Sequence, residues 1–416
     1  MRWGVGLLLF LVLLWGWRAH RESESVSYLP STEPAVDATE WSVVGLRELR
    51  VDLPVGVEEL GRVAWEGRDA PIAFDAKNSA DSKFDVYFVD PAEAEGVVSC
   101  LSCDLPWLEG RNVGNPAWSP DGRYLLLQIE NLEPLDDAIE LSPLIADASY
   151  PGFGLSSSLW VYDRAEKTFF LLDEIDGQNG WGTLHPHFSH EGDQVAWTRV
   201  LGDTGCMGEM QVQVADFVTS PSPHLENVRA VGPKLSAEQR FFETQDFREG
   251  RILLACAPEE GQPHHFMDLC QLDVDSGALR RLRQNAGIAG EPGSWEEHAK
   301  YLGEEAILFV SSVGYPSPVA DCDMSNAEFM KWLKTDLYVA NLDRPEQAER
   351  LTFWNEPGQP GWCDCGNALA SDFSWNETAS AAVLFVQFLE WPRWLPVPIG
   401  FDARYFILEL GREPRG

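Results

Sequence analysis

The chain has little positive charge: 31 Lys and Arg residues stand against 66 Asp and Glu residues, giving a formal net charge of −35. A surface of this sign repels phosphate backbones and anionic lipid headgroups, so we expect no nucleic-acid partner. The sequence also lacks a phosphate-binding loop, a dinucleotide fingerprint and a Gly-x-Ser-x-Gly elbow. Nucleotide-dependent enzymes and elbow-type serine hydrolases are therefore not expected.

Long apolar runs are scarce, and the main one extends from Trp3 to Trp17 behind Met1-Arg2. A positive start followed by an apolar core is typical of an export signal, and this core is shorter than the roughly 20 residues that a spanning helix needs. We expect residues 1–20 to be a signal peptide or membrane anchor, residues 21–40 a polar linker and residues 41–416 the folded domain. Contact with a membrane is expected only through the N-terminal segment, if it is not cleaved.

The eight cysteines are an even number in a chain expected to be exported, which predicts structural disulfides and a periplasmic or extracellular location. Cys256 and Cys270 fall at facing ends of two predicted neighbouring strands, so we expect them to pair. Cys100 and Cys103 have redox-motif spacing without the strand-to-helix context of that motif. The other disulfide candidates are Cys206, Cys322, Cys363 and Cys365.

Beyond about residue 46 the sequence consists mainly of short alternating or β-branched runs separated by Gly, Pro, Asp and Asn, which predicts strands and turns. A unit of about four strands recurs six times, so the fold class predicted is all-β, a six-bladed β-propeller. The last unit lacks a fourth strand, and a spare strand from Leu46 to Leu53 precedes the first unit. We expect this N-terminal strand to complete the last blade and close the ring, which protects sheet edges. Two separate β-domains are the alternative.

Two copies of the unit begin with a sharp motif, Asn115-Pro-Ala-Trp-Ser-Pro-Asp-Gly122 and His185-Pro-His-Phe-Ser-His-Glu-Gly192. These segments resemble the signature of the TolB-like β-propeller repeat family. The resemblance covers about residues 60 to 410 and implies a propeller and an exported location. It concerns the propeller alone, because the separate N-terminal α/β domain of TolB has no counterpart between the apolar run and the first strand.

The long predicted loops all fall on one face of the propeller, and we expect this long-loop face to be the working face. Two tryptophans there, Trp181 and Trp362, are candidates for stacking on a sugar or anchoring a protein partner, with burial as loop staples the alternative. His185 and His187 lie two residues apart on an innermost strand, where alternation places both side chains on one face. Asp372 is expected to reach the same channel.

The leading hypothesis is an exported, non-enzymatic scaffold without a cofactor that presents its long-loop face to a protein, peptide or glycan. The alternative is a metal-dependent polysaccharide lyase or hydrolase at the propeller axis, with His185 and His187 holding a divalent metal ion. A faint likeness to metal-assisted lyases on similar propellers rests on the His185-Pro-His187 segment alone. Packing and hydrogen bonding at the channel mouth is the simpler role for these two histidines.

Overall fold

The computed structural model describes residues 41–92, 96–132, 150–152, 154–176, 181–202, 209–233, 242–259, 262, 266–283, 293–315, 331–362, 366–390 and 400–412. The chain divides into Met1–Asp37 and Ala38–Gly416, and all described residues belong to the second unit. Within them, no helix combines the length and the apolar character needed to cross a membrane. The apolar N-terminal run lies outside the described residues.

The regular secondary structure of the described residues is almost entirely β-strand, and the strands are numbered here in chain order. They are β1 (Trp41–Leu49), β2 (Val51–Asp52), β3 (Val57–Ala64), β4 (Ile72–Asn78), β5 (Lys83–Val89), β6 (Gly96–Val97), β7 (Ser99–Cys100), β8 (Val113–Trp118), β9 (Tyr124–Glu130), β10 (Ser157–Asp163), β11 (Thr168–Asp173), β12 (Gly182–Phe188), β13 (Gln194–Gly202), β14 (Glu209–Val218), β15 (His224–Val231), β16 (Phe242–Arg248), β17 (Arg251–Cys256), β18 (Asp268–Asp273), β19 (Leu279–Arg283), β20 (Glu296–Leu302), β21 (Ala306–Ser311), β22 (Asp336–Asn341), β23 (Ala348–Arg350), β24 (Asn367–Asn376), β25 (Ala381–Glu390) and β26 (Gly400–Arg412).

Six four-stranded antiparallel sheets form the blades, which confirms the prediction of an all-β, six-bladed propeller. From the axis outward, blade 1 is β3-β4-β5-β7, blade 2 is β8-β9-β10-β11, blade 3 is β12-β13-β14-β15, blade 4 is β16-β17-β18-β19, blade 5 is β20-β21-β22-β23, and blade 6 is β24-β25-β26-β1. The fourth strand of blade 6 is β1, which pairs with β26 from Trp41–Arg412 to Leu49–Tyr405. Blade 6 is therefore assembled from both ends of the propeller domain.

The second strand of a blade is buried on both faces, because a neighbouring blade covers each side. In β9, Leu125 and Leu127 pack with residues of blade 1, whereas Leu126 packs with Val195 and Trp197 of blade 3. Each of these side chains is almost fully buried, and a fully buried Leu contributes about 1.5–3 kcal/mol. These strands therefore read as continuous apolar runs in the sequence.

The turn between the first two strands explains why the repeated motif ends in Gly. In blade 2, the amide of Gly122 donates to the carbonyl of Ser119 at 2.8 Å, and Gly122 has a φ of 69°. In blade 3, Gly192 donates to Ser189 at 2.8 Å with a φ of 81°. A positive φ is accessible to Gly at little cost, so these short turns close tightly.

Two inner strands, β3 and β16, are not predicted by the sequence pattern. The predicted strand from Leu46 to Leu53 is also corrected. It lies at Trp41–Leu49, whereas Val51–Asp52 forms a separate parallel pair with Gly96–Val97.

Two disulfides lie within the described residues. Cys256 and Cys270 join β17 to β18 with their Cα atoms 6.0 Å apart, which confirms the predicted pair. Cys100 and Cys103 are bonded to each other beside β7, so this motif is oxidised. Disulfides of this kind are typical of proteins outside the reducing cytoplasm. Cys206, Cys322, Cys363 and Cys365 lie outside the described residues.

Candidate functional site

All six inner strands carry a β-bulge, where the inner strand has one residue more than the second strand. The register shifts lie between Leu60 and Val63, Gly114 and Ala117, Leu184 and His187, Thr244 and Asp246, Glu297 and Lys300, and Ala370 and Asp372. Three bulge residues lie in the left-handed region, with φ of 51° for Asn115, 42° for His185 and 54° for His298. Such a conformation is uncommon for side chains other than Gly, and bulges redirect side chains.

Polar side chains from these bulges meet across the axis. Arg62 Nη1 of blade 1 lies 3.1 Å from His298 Nε2 of blade 5. The ring of His185 in blade 3 stacks on that of His298, with centroids 6.1 Å apart and an interplanar angle of 18°. Blades 1, 3 and 5 are not neighbours in the ring, so these contacts place all three side chains on the axis.

His298 is the centre of this axial group. Its Nδ1 lies 3.2 Å from Asp372 Oδ1, and its Nε2 lies 3.2 Å from Glu297 Oε2. Burial lowers the pKa of His298 to about 3, so the imidazole is neutral at physiological pH. A guanidinium can only donate, so Nε2 accepts from Arg62 and the ring proton resides on Nδ1, directed at Asp372.

His185 is also neutral, because burial lowers its pKa to about 3. The residue is only 4% exposed, so water does not reach its Nε2 freely, and this atom has no hydrogen-bond partner in the described part of the chain. The side-chain amide nitrogens of the bulge residues Asn115 (Nδ2) and Gln245 (Nε2) are buried and have no partner within the described chain either. Buried polar atoms normally have partners, so three adjacent blades offer free hydrogen-bonding capacity near the axis.

Two buried carboxyl groups, those of Glu243 and Glu297, are hydrogen-bonded to each other. Burial, reinforced by the charge of Glu297, raises the pKa of Glu243 well above its ordinary value. Burial likewise raises the pKa of Glu297, although the bond from Glu243 opposes this shift. Protonation of the pair is therefore favoured, and it is favoured most at Glu243, whose pKa is raised well above its ordinary value.

Three aspartates tie neighbouring blades together near the axis. Asp75 of blade 1 accepts the amide of Asn115 in blade 2 at 2.7 Å, and Asp246 of blade 4 accepts that of Tyr301 in blade 5 at 2.7 Å. Asp372 of blade 6 accepts the amide of Val63 in blade 1 at 3.1 Å. These bonds hold the inner strands in register with one another.

The aspartates differ in their electrostatics. Burial raises the pKa of Asp75 to about 7. Burial would also raise the pKa of Asp246, but His190, whose Nε2 lies 3.1 Å away, reverses the effect and the pKa is lowered. In return, the Asp246 carboxylate outweighs the effect of burial on His190 and raises the pKa of that imidazole.

Below the bulges, towards the short turns between first and second strands, Lys300 occupies the axis. Its Nζ lies 3.4 Å from Glu66 Oε1 and 3.4 Å from His187 Nδ1. Burial, followed by the charge of Lys300, lowers the pKa of His187 well below its ordinary value, so His187 is neutral. Lys300 is therefore the cation at this level, and its side chain is only 7% exposed.

A cavity of about 290 Å³ opens from this level towards the short turns. Its lining residues are Glu66, Arg68, Ala117, Trp118, Pro120, His187, Phe188, Ser189, His190, Glu191, Asp246, Arg248, Glu249, Lys300, Tyr301, Trp375, Glu377 and Thr378. This volume is just below the range of about 300–1,000 Å³ for small-molecule sites, and polar groups line much of the cavity wall. The described cavity thus lies on the face opposite the long loops, several of which fall outside the described residues.

The predicted site residues separate into two groups. His185, His187 and Asp372 lie on the axis, although the bulge interrupts the strand alternation expected between the two histidines. His185 contacts His298, whereas His187 contacts Lys300. Trp181 is half-buried against a hydrophobic cluster, and Trp362 is 38% exposed in a turn. Neither tryptophan belongs to the described lining of the cavity.

The described residues offer one potential group of three metal ligands, formed by Asp85, Cys100 and Cys103. The two sulfurs of this group are bonded to each other, so they are not free to ligate a metal. His185 and His187 do not belong to such a group within the described chain.

Several axial residues are not predicted by the sequence pattern, notably Arg62, Glu243 and Lys300. Arg62 and Glu243 lie on β3 and β16, the two strands that were missed. Lys300 follows His298 by two residues, as His187 follows His185. Alignment of these two pairs is the signal that would have found Lys300.

Comparison with known proteins identifies no family model that matches the chain and no curated protein similar to it. Among solved structures, a puromycin hydrolase matches with a TM-score of 0.45 at 13% identity, over 85% of this chain and 46% of that protein. This chain thus spans about half the length of that hydrolase.

Two further similar structures are the propeller domain of a protease and a sialidase. The β-propeller domain of the Trilobed protease from Pyrococcus furiosus matches at 12% identity and a TM-score of 0.41, over 86% of this chain and 96% of that domain. The Trypanosoma rangeli sialidase matches at 10% identity and a TM-score of 0.49, over 89% of this chain and 60% of the sialidase. Similarity at this level concerns the fold alone.

Proposed function

We propose that this protein is a non-enzymatic binding propeller that takes a polar ligand, part of a peptide or glycan, in the axial cavity. The observation that carries the proposal is the cavity itself, with Lys300, Glu66 and His187 at its floor. A few fixed polar groups in a concave site are what orient a small ligand. The long-loop face with Trp181 and Trp362 stays a second candidate surface for a protein partner.

Blocking the cavity tests this proposal. Thr378 is exposed and lines the cavity, so Thr378→Trp should obstruct the cavity while leaving the fold intact. The matched control is Ala165→Trp, an exposed position in the turn between β10 and β11. The full chain would be purified gently and denatured, and the released small molecules identified by mass spectrometry.

We expect a peptide or glycan fragment to be released from the wild-type protein and from the Ala165→Trp variant, but not from Thr378→Trp. An equal yield from all three proteins, or no released molecule from any of them, would overturn the cavity as the binding site.

A hydrolase or lyase acting on a polysaccharide is the second candidate function. It is favoured by the hydrogen-bonded pair of Glu243 and Glu297, since a buried carboxyl group with a raised pKa suits acid–base chemistry. In its metal-dependent form, His185 and His187 would hold a divalent ion. A screen of polyuronides with the wild-type protein and Glu243→Gln tests catalysis by the carboxyl pair. The metal content of a His185→Ala, His187→Ala double variant, compared with that of the wild-type protein, tests the metal-dependent form.

We also propose that the protein is exported and that β1 latches the ring. The disulfides and the apolar N-terminal run support export, and the pairing of β1 with β26 supports the latch. A chain beginning at residue 50 should unfold at a lower denaturant concentration than one beginning at residue 41. Equal midpoints for the two chains would contradict the latch.

A further inference from the structure

The floor of the axial cavity holds the ammonium group of Lys300, whose hydrogen bonds are long, beside Glu66, one of whose carboxylate oxygens accepts no hydrogen bond within the described chain. Both contacts of Lys300 Nζ are 3.4 Å long, beyond the 2.7–3.2 Å of an ordinary N–H···O bond. Glu66 Oε1 makes one of them, whereas Glu66 Oε2 is buried and has no partner within the described chain. An ammonium group has three protons to donate, and here its side chain is almost entirely removed from water.

The surroundings do not supply the missing acceptor for Lys300. His187 is neutral, and Asp246 is already occupied by His190 and by the amides of Phe247 and Tyr301. Leaving a buried charged group without good hydrogen bonds is unfavourable, so the floor favours a ligand that brings an anionic acceptor. The same ligand must also present a donor to Glu66 Oε2.

We propose that the cavity binds a small acid whose carboxylate contacts Lys300 Nζ and whose neighbouring donor group contacts Glu66 Oε2. This inference rests on the proposed binding function and names the ligand chemistry. Two classes carry a carboxylate next to a donor: an α-amino acid, whose donor is an ammonium group, and a sugar acid, whose donor is a hydroxyl. The cavity wall carries both signs of charge, and Arg248 there lies 3.6 Å from the carboxylate of Glu377, so the cation assigned to the ligand's carboxylate is Lys300.

Matched probes test the carboxylate directly. L-leucine and D-glucuronate would be titrated into the full chain by isothermal calorimetry and ligand-observed NMR, alongside L-leucinamide and D-glucose, which lack the carboxylate. A charge-assisted hydrogen bond in a desolvated site is worth a factor of roughly 10 to 100 in affinity. We expect at least one acid to bind, and its carboxylate-free partner to bind at least tenfold more weakly.

Variants place the carboxylate at Lys300. Lys300→Met keeps an unbranched side chain that is one heavy atom shorter and removes the charge, so acid binding should fall at least tenfold. Lys300→Arg should retain binding within a few-fold, which separates loss of charge from loss of fold. Arg229→Ala removes one exposed charge from β15 outside the cavity lining and should leave affinity unchanged.

Glu66→Gln distinguishes the two ligand classes. The amide oxygen of Gln still accepts from a hydroxyl but no longer attracts an ammonium charge, so this variant should weaken an amino acid more than a sugar acid. Equal binding of acids and their carboxylate-free partners, equal binding to Lys300→Met, or no binding of either acid at millimolar concentration would overturn the inference. The proposed function would survive each of these results if a neutral molecule were still released from the unblocked cavity.

Discussion

The bulge of β3 approaches Asp75 so closely that Gly61 has no room for a side chain. A Cβ atom built on Gly61 would overlap with Asp75 Oδ1 and lie 3.1 Å from Asp75 Cγ. That carboxylate accepts the amides of Arg62 at 2.8 Å and of Asn115 at 2.7 Å. Gly61→Ala must therefore displace Asp75 from two backbone donors in adjacent blades.

The cost follows from those two bonds. Leaving one buried donor unsatisfied costs about 1–3 kcal/mol, so the loss of two such bonds in Gly61→Ala should lower the free energy of unfolding by about 2–6 kcal/mol. The control is Gly45→Ala on β1, where the added Cβ meets only the flexible side chain of Glu409, at 2.8 Å. That substitution should change the free energy by less than about 0.5 kcal/mol.

Urea unfolding of a double-mutant cycle identifies the cause. If the clash is with Asp75, Gly61→Ala should cost little in an Asp75→Ala background, because the overlapping carboxylate is gone. An equal cost of Gly61→Ala in both backgrounds, or a cost no greater than that of Gly45→Ala, would refute the reasoning.

Three further predictions concern the scaffold. Cys256→Ser opens a disulfide with a sequence separation of 14 and should lower the free energy of unfolding in urea by about 3 kcal/mol. An unchanged urea midpoint would contradict this prediction. His190→Ala should lower the free energy of unfolding most between about pH 4 and 6.5. The lowered pKa of Asp246 makes the ion pair stabilising above about pH 4, the ordinary pKa of Asp, and the raised pKa of His190 makes it fully stabilising below about pH 6.5, the ordinary pKa of His. That cost should fall as pH rises through the folded pKa of His190, and a cost independent of pH would contradict the assignment. Glu296→Ala leaves Arg283 buried without its 2.9 Å partner and should cost about 3–5 kcal/mol by thermal unfolding, whereas replacement of both by apolar residues should cost less.

The second strands of the blades were predictable because most of their side chains are apolar on both faces, and the third strands because apolar residues recur along them. The short turns were also predictable, since Gly122 and Gly192 mark positions of positive φ. The strands β3 and β16 were not, because both place polar residues at the axis. In β16, Glu243, Gln245 and Asp246 are all buried, which inverts the usual relation between polarity and exposure.

The candidate site was predictable only in part. The sequence singled out His185, His187 and Asp372, each of which lies on the axis. Their partners come from distant units: Arg62 and His298 are 236 positions apart, and Lys300 and Glu66 are 234 apart. Such pairs depend on how the blades close into a ring and on where each bulge lies, and neither feature can be derived from the spacing of residues within one unit of the sequence.

A crystal structure of the full chain soaked with the acid that binds in calorimetry tests the central claim most directly. The account predicts ligand density in the axial cavity, with a carboxylate within hydrogen-bond distance of Lys300 Nζ. An empty cavity together with a ligand on the long-loop face would contradict it.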